Sequence, residues 1–384
     1  MTTTTAESEH GHDDGHGHDA HGHHGPKFLA HHFDDAEQQF DSAKLGMWVF
    51  LVTEILMFGG LFAAFIIYKS LHNDVFVAAH HHLDRIQGGT NTIVLLFSSL
   101  TMALAVRSSQ LGKKGQTSAY LLVTIACAFI FLVVKYFEYS HKIHDGLLPG
   151  PLFHAHDLPK DAHVFFSLYF LMTGLHGIHV VIGIGLITWV FLRNQKGEFS
   201  GAFYTPVEIV GLYWHLVDLI WIYLFPLLYL IGLAKMTTET HDATHGHHGH
   251  GDPDHDEAGH HIDPLWLYLA IFGALIFLTV VTIAASYVDF GQANTIIAVL
   301  IASTKASLVA VFFMHLRHDK PFHSIVLVSA LFFLSFLFLF TLQDEGSRND
   351  VDEWHGKPIE KPKAAMVAPS ASGSAAAPAP AAHH

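Results

Sequence analysis

A carboxylic acid in the middle of an apolar run is the most chemically exposed feature of this sequence. Glu54 stands in Trp48-Val-Phe-Leu-Val-Thr-Glu-Ile-Leu-Met-Phe-Gly-Gly60. A carboxyl at mid-bilayer costs about 2.5–3.5 kcal/mol even on the lenient insertion scale. Such a group is either a proton-linked or lipid-contacting carboxyl, or a neutral acid that bonds helices together. His176 and His179, in His-Gly-Ile-His, are three apart and share a helix face. A pair of this kind ligates a metal or a haem, or hydrogen-bonds between helices that neighbouring glycines allow to approach. No Asp or Glu follows nearby to complete a ligand set, which favours the second reading. Trp214-His-Leu-Val-Asp-Leu-Ile-Trp221 repeats the spacing with His215 and Asp218. A carboxylate orienting an imidazole behind a metal has this form, and so does an internal polar clamp. Glu138, with Lys135 and His141 at spacing three on either side, reads as a self-neutralising stripe near one helix end. Lys305 lies deep in another apolar run, where a lysine snorkels or pairs with an acid on a neighbouring helix.

The elements that must position these groups are membrane helices. Of 384 residues, 51% are hydrophobic and only 14% charged, and the apolar ones fall in long blocks. A block of about 20 residues crosses a ~30 Å hydrocarbon layer as a helix, and irregular backbone is costly in lipid. Eight blocks are expected: Ala43–Tyr68, Thr92–Leu111, Ala119–Ser140, Ala162–Leu192, Pro206–Leu233, Leu265–Val288, Thr295–Leu316 and Ser324–Leu342. The fold class is therefore all-α integral membrane, five helices followed by three. A soluble globular enzyme is excluded. So is nucleic-acid binding, because 34 Asp+Glu outweigh 20 Lys+Arg. The single cysteine, Cys127, leaves no disulfide framework and no Cys-x-x-Cys site.

The division expected along the chain is a His/Asp-rich tail (1–41), a five-helix domain (42–233), a His-rich linker (234–263), a three-helix segment (264–343) and a tail (344–384). The stretches 8–32 and 241–261 are rich in His, Gly and Asp, and 364–384 in Ala, Pro and Ser. None can bury enough apolar surface to order itself. The His-rich stretches have the chemistry to bind Zn²⁺ or Cu²⁺ or to buffer pH, against a reading as solvated linkers. No basic region followed by an apolar core marks a cleaved signal at the N-terminus. Lys44, Arg107, Lys113, Lys114, Arg193 and Lys196 favour a cytoplasmic N-terminus. Arg317 and Lys320 leave the last three helices ambiguous. Trp48, Trp189 and Trp266 near block ends suggest interfacial belts.

The run from Lys44 through Glu54 to Gly60 resembles the signature helix of subunit III of the haem-copper cytochrome c oxidases. Asn91-Thr92, Tyr136-Phe-Glu138-Tyr, Gly174-Leu-His176-Gly-Ile-His179-Val-Val-Ile-Gly183 and Tyr213 through Trp221 are similar to further blocks of that family, in the family's order. Residues 264–343, through Lys305-Ala-Ser-Leu-Val-Ala-Val-Phe-Phe-Met-His315-Leu-Arg317, resemble the three-helix subunit IV of prokaryotic oxidases. The resemblance implies an accessory, non-redox subunit of a proton-pumping oxidase, a III+IV fusion in a bacterial inner membrane. It would hold phospholipid, steady the catalytic subunit and support proton uptake. Haems and copper would lie on partner subunits I and II, with no cofactor here, and cytochrome c would be reached through subunit II. Other respiratory complexes are further partners in this view. Many subunit III chains carry two additional N-terminal helices, so the family's V-shaped lipid cleft cannot be complete on this chain. The N-terminal histidines would then serve as a proton-collecting antenna. Two alternatives stay open: the same role in a quinol oxidase or nitric oxide reductase, and a divalent-metal transporter.

Overall fold

In the computed structural model the described residues are 33–80, 82–150, 161–201, 203–229, 264–285, 293–314 and 321–355, with a few isolated positions besides. The expectations placed on the His-rich stretches and on the Ala/Pro/Ser-rich tail fall outside them. All regular structure among the described residues is helical: α1 (Ala36–Leu71), α2 (Asn73–His80), α3 (Arg85–Gln110), α4 (Lys114–His144), α5 (Ala162–Gln195), α6 (Thr205–Tyr229), α7 (Leu265–Ala285), α8 (Ala293–Leu308), continued by a π-helical turn (Val309–Phe313), and α9 (Pro321–His355). Residues up to Ser335 form one unit, and Phe336 begins a second. In that second unit Phe336 stacks on Phe340 within α9, with ring centroids 5.7 Å apart.

Local chemistry sets the helix ends. Asp35 caps α1 by accepting the amide of Gln38 at 2.6 Å, and Asp84 caps α3 through the amides of Ile86 and Gln87. Gly112, at φ +66°, makes the tight turn between α3 and α4. Helix α2 has no counterpart among the expected blocks. Its eight residues are too few for a hydropathy signal, and it is held by Phe76 against Phe65 and Phe165, each at 5.3 Å.

Among the described residues seven helices are long and apolar enough to cross a membrane, six of them α1 and α3–α7 and the seventh the Ser324–Thr341 part of α9. The block expected over Thr295–Leu316 falls short, with an apolar helix of only Val299–Phe313. Asn294, Thr295, Ser303, Thr304, Lys305 and Ser307 interrupt its hydropathy.

Helices α3 and α6 are the axis of the first five. Of their most apolar windows 78% and 83% is buried, against 28–33% for α1, α4 and α5. They are also the least apolar of the five, as expected where the interior carries the polar side chains and lipid meets the apolar ones. Small residues let these helices close up. A Cβ on Gly183 would sit 2.7 Å from the Trp214 ring, and one on Gly211 2.9 Å from Val106. Indole N–H groups are satisfied across the pair, Trp214 donating to Ser98 Oγ and Trp221 to Thr92 Oγ1, each at 3.1 Å. Trp48 is not interfacial: it is fully buried in this core, whereas Trp189 and Trp266 are exposed as a belt requires.

Helix α7 lies antiparallel to α3, with Phe272 against Phe97 at 6.1 Å and Ile283 beneath Gly89. Helix α8 lies antiparallel to α6, joined by Tyr223 donating to Ser303 Oγ at 3.2 Å and by the Phe313–His215 ring contact at 5.7 Å. Helix α7 therefore begins at the face where α1 begins. Helix α9 follows the π turn, and the loop cations Arg317 and Lys320 between them lie outside the described residues.

Candidate functional site

The sequence-nominated polar residues separate into three levels of the bundle. At mid-depth on one flank, α1 presents Glu54 to α5. His179 Nε2 lies 2.9 Å from Glu54 Oε2, while His179 Nδ1 lies 2.8 Å from the Leu175 carbonyl. A carbonyl only accepts, so Nδ1 carries a proton. The remaining proton sits either on Glu54, which then donates to a neutral imidazole, or on Nε2, which then donates to a carboxylate. In both cases the pair holds one proton between two helices. Its side chains keep 14% and 11% of their exposure, on a flank where Phe50, Leu56 and Met57 are exposed. Phe58 stacks edge-on against the imidazole at 5.4 Å, and Tyr213 donates to the His179 carbonyl at 3.0 Å.

His176 does not join His179. Three residues along a helix are about 60° apart around its axis, and α5 uses that angle to send one imidazole to α1 and the other inward. His176 is buried between Trp221 and Phe131, with ring centroids 5.3 and 5.5 Å away. Neither of its nitrogens has a hydrogen-bond partner among the described residues. The His215–Asp218 pair separates as well. His215 Nδ1 is met by Ser99 Oγ at 2.8 Å, so the hydroxyl of α3 and not the carboxylate orients this imidazole.

At the face where α6 ends, Glu138 is the centre of a buried ion network. Its carboxylate is met by Lys135 at 2.8 Å, Lys142 at 3.2 Å, Tyr169 OH at 2.8 Å and Tyr229 OH at 2.6 Å. Lys135 also lies over the Trp221 ring at 5.1 Å. The partner expected at spacing three, His141, is instead exposed and faces Asp145 at 3.5 Å. Lys142, one residue further on, takes the inward position.

At the opposite face Lys44 pairs with Glu208 at 2.7 Å, both side chains under a tenth exposed. The sequence reading counted Lys44 only as a loop charge and passed over Glu208. Their shared signal is a charge within two turns of a helix start. Tyr204 stands beside them, its phenol pushed up to about 12 by burial and then by the Glu208 carboxylate. Lys305 is 1% exposed between Ala302 and Ala306, which excludes snorkelling, and has no acidic partner among the described residues. Nor do three His, Cys, Asp or Glu side chains among those residues gather where one metal ion could take them.

Residues 27–233 match the family model for cytochrome c oxidase subunit III, and residues 269–341 match that for prokaryotic cytochrome c oxidase subunit IV. The chain is 33% identical over 202 residues to cytochrome c oxidase subunit 3 of Thermostichus vulcanus, covering 52% of this chain and 92% of that one. It is 32% identical over 214 residues to cytochrome c oxidase subunit 3 of Synechocystis, covering 56% and 80%. It is 30% identical over 198 residues to quinol oxidase subunit 3 of Bacillus subtilis, covering 50% and 88%.

Proposed function

The chain belongs to the cytochrome c oxidase subunit III family, and from that membership we propose that it is a non-redox transmembrane subunit of a proton-pumping terminal oxidase. The subunit III-type region (42–233) and the subunit IV-type region (264–343) act as one polypeptide beside subunits I and II. Haems and copper belong to those partners. This chain steadies the catalytic subunit, holds phospholipid along its apolar flanks and sits close to proton uptake, with its N-terminus in the cytoplasm of a bacterial inner membrane.

The observation that carries the lipid- and proton-linked part is the Glu54–His179 pair. It is a proton-holding group at mid-depth, less than fully buried, on a flank that is otherwise apolar. A purely structural clamp would be expected inside the α3–α6 axis, where the Ser and Thr pairs are. Glu54→Gln keeps one hydrogen bond and removes the exchangeable proton.

The test is mild-detergent purification through a tag on this chain. Subunits I and II and a haem spectrum should come with it. In that complex Glu54→Gln should lower phospholipid retention or steady-state turnover while leaving the haem spectrum unchanged. Purification without haem, or with iron or copper held tightly by this chain alone, would overturn the proposal. The quinol-oxidase reading is favoured by the Bacillus subtilis relative. Oxidation of reduced cytochrome c by the purified complex, rather than of a quinol, separates the two.

A further inference from the structure

Asp218 is the buried acid for which the oxidase role has no use. It is 1% exposed on α6, and neither carboxyl oxygen has a hydrogen-bond partner among the described residues. The Ser99 hydroxyl of α3 faces it within reach of a hydrogen bond and is also met by His215 Nδ1 at 2.8 Å. Cys127 of α4 stands within its electrostatic reach. Lys44 is committed to Glu208 and Lys135 and Lys142 to Glu138, and the buried Lys305 of α8 forms no ion pair with Asp218 among the described residues.

An ionised carboxylate without a counter-ion in such a place costs far more than taking up a proton. A protonated acid carries one O–H donor and a carbonyl acceptor, and both need partners. The Ser99 hydroxyl can meet one of them at most, and lipid supplies neither. Internal water supplies such partners in proteins generally, where a polar pocket offers it two or more partners. Two further buried side chains of the same bundle, Asn91 on α3 and His176 on α5, also have polar atoms that no described residue satisfies. The neighbouring hydroxyls and indoles, by contrast, pair off completely, as in Ser98–Trp214, Thr92–Trp221 and Thr101–Thr124. Unsatisfied polar groups on three helices of one interior are what internal water would leave behind in a structure of the protein alone.

We propose that Asp218, Ser99 and His215 form an internal water site at mid-depth, in which Asp218 is a neutral, proton-bearing acid that donates to a bound water held against the Ser99–His215 pair.

Infrared difference spectroscopy of the intact purified complex, wild type against Asp218→Asn, tests this. The wild type should show a protonated carboxylic C=O stretch that the variant lacks, and the band should move down after exchange into D₂O. Glu54→Gln identifies and removes any contribution from Glu54. A difference confined to the ionised-carboxylate region would overturn the neutral acid, and a C=O band that D₂O leaves in place would overturn the water. If Asp218→Asn prevents assembly, Ser99→Ala in an otherwise unchanged complex should shift the same band without abolishing it. An unshifted band there would equally sink the proposal.

Discussion

Replacing Glu138 by Gln removes one charge from a site where two lysines and two phenols converge. The Glu138 side chain is 2% exposed, and those of Lys135 and Lys142 are 8% and 4% exposed. Once the carboxylate is gone, both ammonium groups stay in the bundle without a counter-ion. Breaking a buried pair from one side costs about 3–5 kcal/mol. The protein can escape by releasing a proton from one lysine. From an ordinary lysine value near 10.4 that costs, at pH 7, roughly 4–5 kcal/mol. The two routes bound the same figure, so E138Q should destabilise the chain by about 3–5 kcal/mol. Cys127, the chain's one cysteine, is buried on the same helix as Glu138. Its reaction with a thiol dye during SDS titration of the detergent-purified chain therefore reports unfolding of α4. Adding K142M to E138Q removes an orphaned charge and should recover at least about 1 kcal/mol relative to E138Q alone. A cost below about 1 kcal/mol for E138Q, or strict additivity in the pair, would refute the electrostatic account.

Gly183→Ala should cost about 1–3 kcal/mol through the clash with Trp214, while Gly185→Ala, whose added Cβ meets nothing within 4 Å, should be near neutral in the same titration. K44M and E208Q should each destabilise more than the K44M/E208Q double variant, because either single change leaves one buried charge alone. Cysteines introduced after Tyr229 and before Leu265, in a C127A background, should label from opposite sides of the membrane. Labelling from one side would mean that α7–α9 insert in the reverse sense to the packing on α3 and α6.

Hydropathy made α1 and α3–α7 legible, since each is a long run bounded by charges or turn residues. It failed where the signal is short or mixed. Helix α2 is below any useful window, and the block read as a span over Thr295–Leu316 holds only the shorter apolar helix Val299–Phe313. Spacing placed polar residues on faces but could not choose their partners. His141 at three residues from Glu138 and Lys142 at four are equally good neighbours on an ideal helix, and only packing against Tyr169 and Tyr229 selects the lysine. The partner of Glu54 lies 125 residues away on α5, with nothing local to announce it. Trp48 resembled a belt tryptophan because it is close to a block end. Helix α1, however, begins seven residues earlier than the expected block, at Ala36, which carries that ring inward.

The distribution of charge has a simple physical logic. Ion pairs occupy the two ends of the bundle, Lys44–Glu208 at one face and Lys135–Glu138–Lys142 at the other. Water and headgroups are near there, and desolvation is least severe. Between them the α3–α6 axis is joined by neutral bonds from serine, threonine, tryptophan and histidine, which cross a low-dielectric interior without uncompensated charge. Glu54 and Asp218 both break this pattern, as acids at mid-depth with no cation of fixed charge beside them. One faces an imidazole on an apolar flank, and the other faces the Ser99 hydroxyl. A sequence under selection for stability alone would replace both with apolar residues of similar volume. Departures of this kind mark positions held for something other than the fold, which is what the proton-linked reading of Glu54 and the neutral-acid reading of Asp218 require.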